Sequence, residues 1–409
     1  MTRYLALLRK RDFALLWGGA TVSALGDGMS FVAVIWLLIE RGGTATDVGW
    51  LAAVHTAPVV IGGIAAGMVL DQFDPRKVLA VDNTIRGLTV ASIPIAAALG
   101  VLTTVQLFVV AAVYGLLFMT SAAGIPSLIT RLVDKSDLTT ANAMESLSFS
   151  ISGLIGPAVA GLVIAGFGAP VVLALDALTY FIFVACLLLM REGRGVVHGG
   201  GPEAAAAASR GLGPAVRFIL GAPAIVAITL FYMSVNIAGG IVTVVIPLYV
   251  RDVIHGGSET FGLLLSVLTA GDLAGLLVVG AVGWRWPLGR SIAWALFTSG
   301  LVLLLWLLRP PVIALGAILF VWGSLSSSLT PWAQTIRMRL IPPEMRGRVF
   351  ALLRTSMQST RPIGAVVAGI LLARGDLSIA IVAVALLFGV PGAIGIWLPA
   401  LGRGPTAEP

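Results

Sequence analysis

The sequence predicts an all-α membrane protein: twelve transmembrane helices in two pseudo-symmetric six-helix bundles. Three observations carry that expectation. Of the 409 residues 58% are hydrophobic and only 11% charged, with a mean hydropathy of +1.01, a balance that water-soluble domains of this length do not show. The apolar residues are gathered into runs, each near the roughly 20 residues a helix needs to cross the hydrocarbon core. A weak internal repeat relates the two halves. Laying Arg131-Leu132-Val133 on Arg339-Leu340-Ile341 also brings Ser148 onto Ser356, Gly161 onto Gly369, and Asp27 beside Val235 and Asn236. Parallel halves of this kind place a substrate site near the midplane and alternate access by rocking.

The first run, Leu15 to Ile39, holds one charge, Asp27, near its middle. Further spans read approximately as 48 to 70, 78 to 100, 105 to 130, 142 to 166 and 170 to 190. After Met190 the pattern gives way to a Gly-, Ala- and Arg-rich stretch that reads as a polar linker. Six more spans follow at about 222 to 250, 260 to 284, 288 to 308, 312 to 338, 349 to 373 and 377 to 400. The expected organisation is an N-terminal bundle over residues 1–190, a cytoplasmic linker over 191–217 and a C-terminal bundle over 218–409. With both ends inside, nineteen Lys and Arg fall in cytoplasmic segments, beginning with Arg3, Arg9, Lys10 and Arg11, against four on the other side. That asymmetry orients the chain in a cytoplasmic (inner) membrane with both termini in the cytoplasm.

The net charge of +7 is spread over many short loops, which points to topology and not to nucleic acid. The first run is too long for a signal-peptide core and is followed by more spans. Cys186 stands alone inside an apolar run and is assigned to packing.

A carboxylate at the depth of Asp27 is costly unless it faces a wet cavity, a partner charge or a proton supply, which makes it the leading site residue. Ser23, Asp27 and Ser30 fall at i, i+4 and i+7 on one helical face, with Trp17, Leu25 and Trp36 elsewhere. The alternative is an Asp that only hydrogen-bonds a neighbouring helix. On span eleven Arg354, Gln358 and Arg361 share the same spacing; Arg361 is assigned to the cavity, as a pairing candidate for Asp27, and Arg354 to the cytoplasmic edge. Asn236 stands opposite Asp27 by the repeat. Asp272 and Glu145 are further acids that could titrate, with helix packing or an interfacial position as the alternatives. Asp82 and Arg86, at i and i+4, read as a structural pair near the end of span three. His55 is a minor candidate. Phe31, Trp36, Phe231, Tyr232, Trp322 and Trp332 are either apolar cavity walls or lipid-facing rings.

The loop after span two runs Gly67-Met-Val-Leu-Asp71-Gln-Phe-Asp74-Pro75-Arg76-Lys77. It resembles the G-x-L-A-D-R-x-G-R-[KR] signature of the major facilitator superfamily, with Gln72 and Asp74-Pro75 as departures. The resemblance implies the major facilitator fold and a gating latch formed by Gly67, Asp71 and Arg76. Span five carries Ser152-Gly153-Leu-Ile-Gly156-Pro157-Ala-Val-Ala160-Gly161, similar to the antiporter motif G-P-x-x-G-G of the superfamily's exporters. On that likeness Gly153, Gly156, Pro157 and Gly161 mark export; generic small-residue packing is the alternative. Further fragments are Arg11-Asp12-Phe13, Gly26-Asp27-Gly28, Asp82 with Arg86, Ala141-Asn142-Ala143, Asp176-Ala177-Leu178, Pro342-Pro343-Glu344 and Arg346-Gly347-Arg348-Val349. Together they resemble the drug-exporter branch that includes macrolide and enterobactin exporters and a mycobacterial multidrug pump. Span four, over Leu116 to Ser127, lacks the arginine that many proton-coupled members carry.

The resemblance implies a secondary active exporter of amphipathic small molecules such as antibiotics or siderophores, driven by proton antiport and acting as a monomer in the bilayer. The alternative within transport is a lipid or metabolite carrier of the same fold. No P-loop is present, and three scattered His with one Cys speak against an intramembrane enzyme. No cofactor, metal or nucleic acid is expected.

Overall fold

The computed structural model describes residues 2–191, 213–282, 286–373 and 376–402; most of the 191–217 linker lies outside the described residues. The chain is helical where described. α1 (Thr2–Arg9) leads into α2 (Arg11–Glu40), followed by α3 (Ala45–Thr56), α4 (Pro58–Gln72), α5 (Pro75–Ala98), α6 (Thr104–Leu132), α7 (Leu138–Phe167) and α8 (Ala169–Leu189). The second half comprises α9 (Gly213–Gly221), α10 (Pro223–Tyr249), α11 (Ser258–Ala281), α12 (Leu288–Leu304), α13 (Val312–Ser327), α14 (Leu329–Leu340), α15 (Arg346–Gln358), α16 (Arg361–Ala373) and α17 (Leu377–Trp397).

Among the described residues eleven spans are long and apolar enough to cross a membrane, among them the continuous pairs α3–α4 and α13–α14. The expected span 349–373 differs. It is divided at Ser359 and Thr360 into α15 and α16, each 13 residues long. Pro362 supplies the reason, because a proline inside a helix has no N–H for the preceding turn. The Thr360 hydroxyl donates to the Met357 carbonyl at 2.8 Å and lies 3.1 Å from that of Met233. Arg354 and Gln358 therefore sit on α15 while Arg361 opens α16, and the single helical face expected for the three is interrupted.

The chain divides into two compact units. The first comprises Met1–Gly43, Val54–Gly199 and Gly256–Ser266; the second, Thr44–Ala53, Gly200–His255 and Val267–Pro409. Inside the first, α2 packs on α7 and α8, α5 on α6 and α8, and α4 on α6. Inside the second, α10 packs on α15, α16 and α17, and α12 on α13 and α17. The pairings of α2 and α5 in the first unit thus recur as those of α10 and α12 in the second. Glycines hold the equivalent crossings. A Cβ on Gly156 would stand 3.1 Å from the Gly28 backbone, and one on Gly364 would run into the Ile237 carbonyl. Gly115 and Gly323 face the carbonyls of His55 and Leu268 in the same way. Such contacts admit backbones that no larger residue would allow. Without water in the hydrocarbon core every helix must satisfy its own backbone, so shape at these crossings decides which helices pair.

The end of the first unit that carries α1 is closed by polar ties. Asp74 caps α5, accepting from the Arg76 N–H at 3.0 Å. Asp12 accepts from the Arg191 N–H at 3.0 Å, and Lys10 reaches Asp134 at 2.8 Å. Asp134 is fully exposed, and the Lys10 ammonium bonded to it holds its carboxyl below the ordinary value and raises its own.

Candidate functional site

Five helices of the first unit line a partly open cavity. α2 presents Phe13, Trp17, Ala20, Ala24 and Asp27, alternating steps of four and three that keep one stripe on the cavity. α6 adds Phe118, Ser121, Ile125 and Ile129, and α7 adds Glu145, Ser148 and Phe149. Arg86 of α5 and Phe183 of α8 complete the wall. The lining is aromatic and aliphatic, with Asp27 and Arg86 as adjoining charges and Glu145 as a third. Trp17 is fixed by its indole N–H, which donates to the Met144 carbonyl at 3.0 Å.

Asp27 is the half-buried member of a polar cluster, its side chain 23% exposed against 2% for Arg86. It accepts a short hydrogen bond from the Tyr180 hydroxyl, and Arg86 Nη1 stands 3.5 Å away. Arg86 is committed more closely to Asp82, donating from Nε and Nη2 to Oδ2 at 3.2 and 3.1 Å. Ser121 closes a triangle, accepting from Arg86 Nη2 at 2.6 Å and donating to Asp82 Oδ2 at 3.3 Å. The guanidinium also lies 5.5 Å from the Tyr114 ring centre and 5.2 Å from that of Tyr180. Two aromatic faces thus replace much of the hydration that a buried cation gives up.

A third carboxylate joins the cluster from α8. Asp176 is fully buried and accepts from the Ser30 hydroxyl in a short hydrogen bond and from Thr179 Oγ1 at 3.2 Å. Gly26 makes that approach possible, because a Cβ there would overlap both the Asp176 carboxylate and the Thr179 hydroxyl. In this cluster the carboxyl groups of Asp27, Asp82 and Asp176 are therefore set against the guanidinium of Arg86. Ser23 lines the cavity, with its hydroxyl 3.5 Å from Asn83 Oδ1. Ser30 turns instead to Asp176, and Phe31 stands edge-on to the His55 ring at 5.6 Å. His55 in turn stacks on Tyr114 at 4.6 Å. Trp36, a candidate for lipid or cavity, is buried and stacked on Phe261 at 6.0 Å.

Within its own bundle Asp27 has Arg86 beside it, a neighbour the sequence reading had assigned to a structural pair with Asp82. In the second unit Arg361 is an exposed side chain at the start of α16. The Asn236 amide donates to the Tyr232 carbonyl of its own helix at 2.9 Å. Asp272 is half-buried on α11, and Gln358 closes α15. The cavity residues Arg86, Phe118, Phe149 and Phe183 escaped sequence reading, as did the clustering of Asp82, Tyr114, Asp176 and Tyr180. The usable signal was the i, i+4 spacing of Asp82 with Arg86 and of Asp176 with Tyr180.

At the latch motif, Asp71 is exposed and a Cβ on Gly67 would meet nothing within 4 Å. Arg76 is buried, and its guanidinium donates to the carbonyls of Leu187 and, at 2.7 Å, Leu188, so it caps the end of α8. In the antiporter-type motif Gly153 is half-buried and Gly156 meets α2. Pro157 interrupts the ladder of α7, and the next N–H, that of Ala158, donates to Ser266 Oγ at 3.0 Å. The Gly161 carbonyl accepts from Ser258 Oγ at 3.0 Å. Among the described residues no group of His, Cys, Asp and Glu is placed to hold a metal ion.

The family model of the Major Facilitator Superfamily matches residues 16–365. The chain belongs to that superfamily. As a Major Facilitator Superfamily member it is a multi-pass membrane transporter and not an enzyme. It is similar to the multidrug efflux pump Tap of Mycobacterium bovis, 25% identical over 397 residues that cover 93% of this chain and 91% of that protein. It is also similar to macrolide efflux protein A of Streptococcus pyogenes, 24% identical over 379 residues, with 88% and 89% of the two chains covered. Among solved structures, the nucleoside transporter NupG superposes with a TM-score of 0.71 over 94% of this chain and 98% of its own, at 14% identity. That last likeness speaks for the fold alone.

Proposed function

We propose that this transporter is a secondary active exporter of bulky amphipathic compounds, antibiotics or siderophores among them, working by proton antiport and alternating access. It would act as a monomer in the cytoplasmic membrane, with both termini in the cytoplasm and the polar stretch 191–217 joining bundles over 1–190 and 218–409. The observation that carries the reading is the cavity with aromatic walls that ends on Asp27 and Arg86. Apolar walls suit a substrate that partitions from lipid, and a few convergent polar groups suit its orientation. The likeness to efflux proteins over nearly the whole chain supports export.

Asp27 is the coupling residue in this reading. It is the most exposed carboxylate of a cluster in which three acids face one guanidinium, and low dielectric opposes that many uncompensated charges. A proton taken up on one face of the membrane and released on the other, in exchange for one substrate cycle, fits such a cluster. Glu145 on the cavity wall and Asp272 on α11 are the further acids that could titrate. Arg361, Asn236 and Gln358 are the second bundle's candidates for substrate contact. Gly67, Asp71 and Arg76 are assigned to gating, and Gly153, Gly156, Pro157 and Gly161 to the direction of transport.

The test is efflux of a compound panel from proteoliposomes under an imposed pH gradient, with and without an uncoupler. Uncoupler-sensitive efflux by the wild type, lost in Asp27→Asn at equal expression, is the expected result. Full transport by Asp27→Asn would move coupling to Asp272 or Glu145, and exchange of lipids or metabolites without drug efflux would favour the carrier alternative.

A further inference from the structure

α9 is a short helix outside the spans, and the transport reading leaves it without a role. Only Ala222 separates it from α10, and the backbone there, at φ −114° and ψ 87°, turns the chain so that the two helices are not collinear. Its inner face is anchored. Ala215 is fully buried, and with Phe218 and Ile219 it joins a small core of Ile225, Ile341, Val349 and Leu353. α9 thus packs across the same end of the second unit at which α14 stops and α15 begins, directly beside the membrane-spanning length of α10.

The outer surface of this corner combines two features that usually repel each other. Val216 and Leu220 of α9 and Met338 and Leu340 of α14 are exposed apolar side chains, Leu220 to the extent of 71%. The same segments carry arginines. Arg217 and Arg339 are exposed, and Arg346 and Arg348 are half-buried. Arg346 is held at the turn by donating from Nε to the Ile341 carbonyl at 3.2 Å and from Nη2 to that of Met338 at 3.0 Å. Across residues 213–222 and 337–354 the only acid is Glu344. Four exposed apolar side chains on segments that also carry four arginines and one acid suit neither bulk water nor the acyl region as well as the boundary between them. The level at which both are satisfied is the headgroup boundary, where apolar side chains dip into the acyl region and guanidinium groups meet phosphate.

We propose that α9 and the α14–α15 turn form a binding site for the phosphate headgroup of an anionic phospholipid, with Arg217 and Arg339 as its principal cations. Arginine suits the task, since its planar fork pairs with two phosphate oxygens at once. Bound lipid at this corner fixes α9 against the membrane and thereby the entry of α10. The site rests on membrane residence alone and is independent of the exported substrate and of proton coupling.

The test uses the full chain purified in a neutral detergent. Native mass spectrometry and thermal melting are read while phosphatidylglycerol, phosphatidylcholine or water-soluble glycerol phosphate is added. Wild-type protein is expected to retain phosphatidylglycerol selectively and to melt higher with it, an effect that salt weakens. Each neutralised arginine should weaken retention about fivefold, so Arg217→Gln/Arg339→Gln should lose about 25-fold in affinity. The Arg217→Lys/Arg339→Lys variant should keep most of it, and Lys77→Gln in the first unit should keep all of it. If the double glutamine variant lowers melting without lipid, the ratio of lipid retained to folded protein still reads the site. Equal retention of phosphatidylglycerol by wild type and double glutamine variant, or equal retention of phosphatidylcholine, overturns the proposal. Protection by glycerol phosphate at the same concentration overturns it as well, since the ligand would then be a free phosphate.

Discussion

Replacing Arg86 with methionine keeps its length and apolar stem and removes its charge. In the wild type the guanidinium satisfies Asp82 through two contacts at 3.1 and 3.2 Å, with both side chains 2% exposed. Breaking a buried pair by deleting one member costs about 3–5 kcal/mol, because the other charge stays behind in low dielectric. Arg86→Met should therefore destabilise the first bundle by about that amount. Asp82→Asn/Arg86→Met removes both charges of that pair; its remaining loss, the contacts of Arg86 to Asp27, Ser121, Tyr114 and Tyr180, is one it shares with Arg86→Met. The double variant should thus be more stable than Arg86→Met by about 2 kcal/mol or more, a coupling within the range that contacting residues give. Thermal unfolding of both variants in detergent micelles reads the difference. A double variant no more stable than Arg86→Met would show that Asp82 is not the group Arg86 neutralises, and the account of the cluster would fail.

The remaining predictions concern single positions. Gly28→Ala should cost about 1–3 kcal/mol and impair transport, because its Cβ would stand 2.8 Å from the Ser152 carbonyl on a backbone that cannot yield; Gly18→Ala, with open space around its Cβ, should melt like wild type. Arg76→Ala should lower stability by about 1–3 kcal/mol through the uncapped α8 carbonyls, whereas Asp71→Asn should leave the melting point unchanged; equal effects would contradict the capping role. The Lys10–Asp134 tie has a depressed acid and a raised base. The Asp134 share of stability is present above the ordinary carboxyl value of 3.8 and is lost as pH falls through the lowered one; the Lys10 share is present below 10.5 and is lost as pH rises through the raised one. In Lys10→Met the Asp134 titration, followed by NMR of labelled aspartate, should move up toward 3.8.

Length and hydropathy made the crossings legible, because a hydrocarbon core selects runs of fixed length whatever their details. The division at Ser359 and Thr360 was harder to read, since Pro362 alone does not say whether a helix kinks or stops. Asp27 stood out as a lone acid in an apolar run. Arg86 did not, and the reason is one of boundaries. Starting span three at residue 78 left Asp82 and Arg86 near its edge; α5 begins at Pro75, its first turn set by the Asp74 cap, so Arg86 lies about 16 Å along the helix. The partnership of Asp27 with Tyr180 joins the first and sixth spans, a long-range contact that no periodicity encodes. The helical stripe was legible as far as Ser23 and Asp27 and failed at Ser30, which α8 draws toward Asp176.

The two halves share glycine crossings but not charges. Under the register that equates Gly115 with Gly323 and Gly156 with Gly364, Asp27 falls on Val235, Arg86 on Trp294, Asp176 on Val384 and Tyr180 on Phe388. Tyr114 falls on Trp322, and where Tyr114 and Tyr180 flank a cation, Trp322 and Phe388 meet each other directly at 5.7 Å. At these five positions the second half is apolar, while Asp82 of the same cluster falls on Arg290. The close glycine contacts recur in both halves, whereas the set Asp27, Arg86 and Asp176 stands in the first alone under this register.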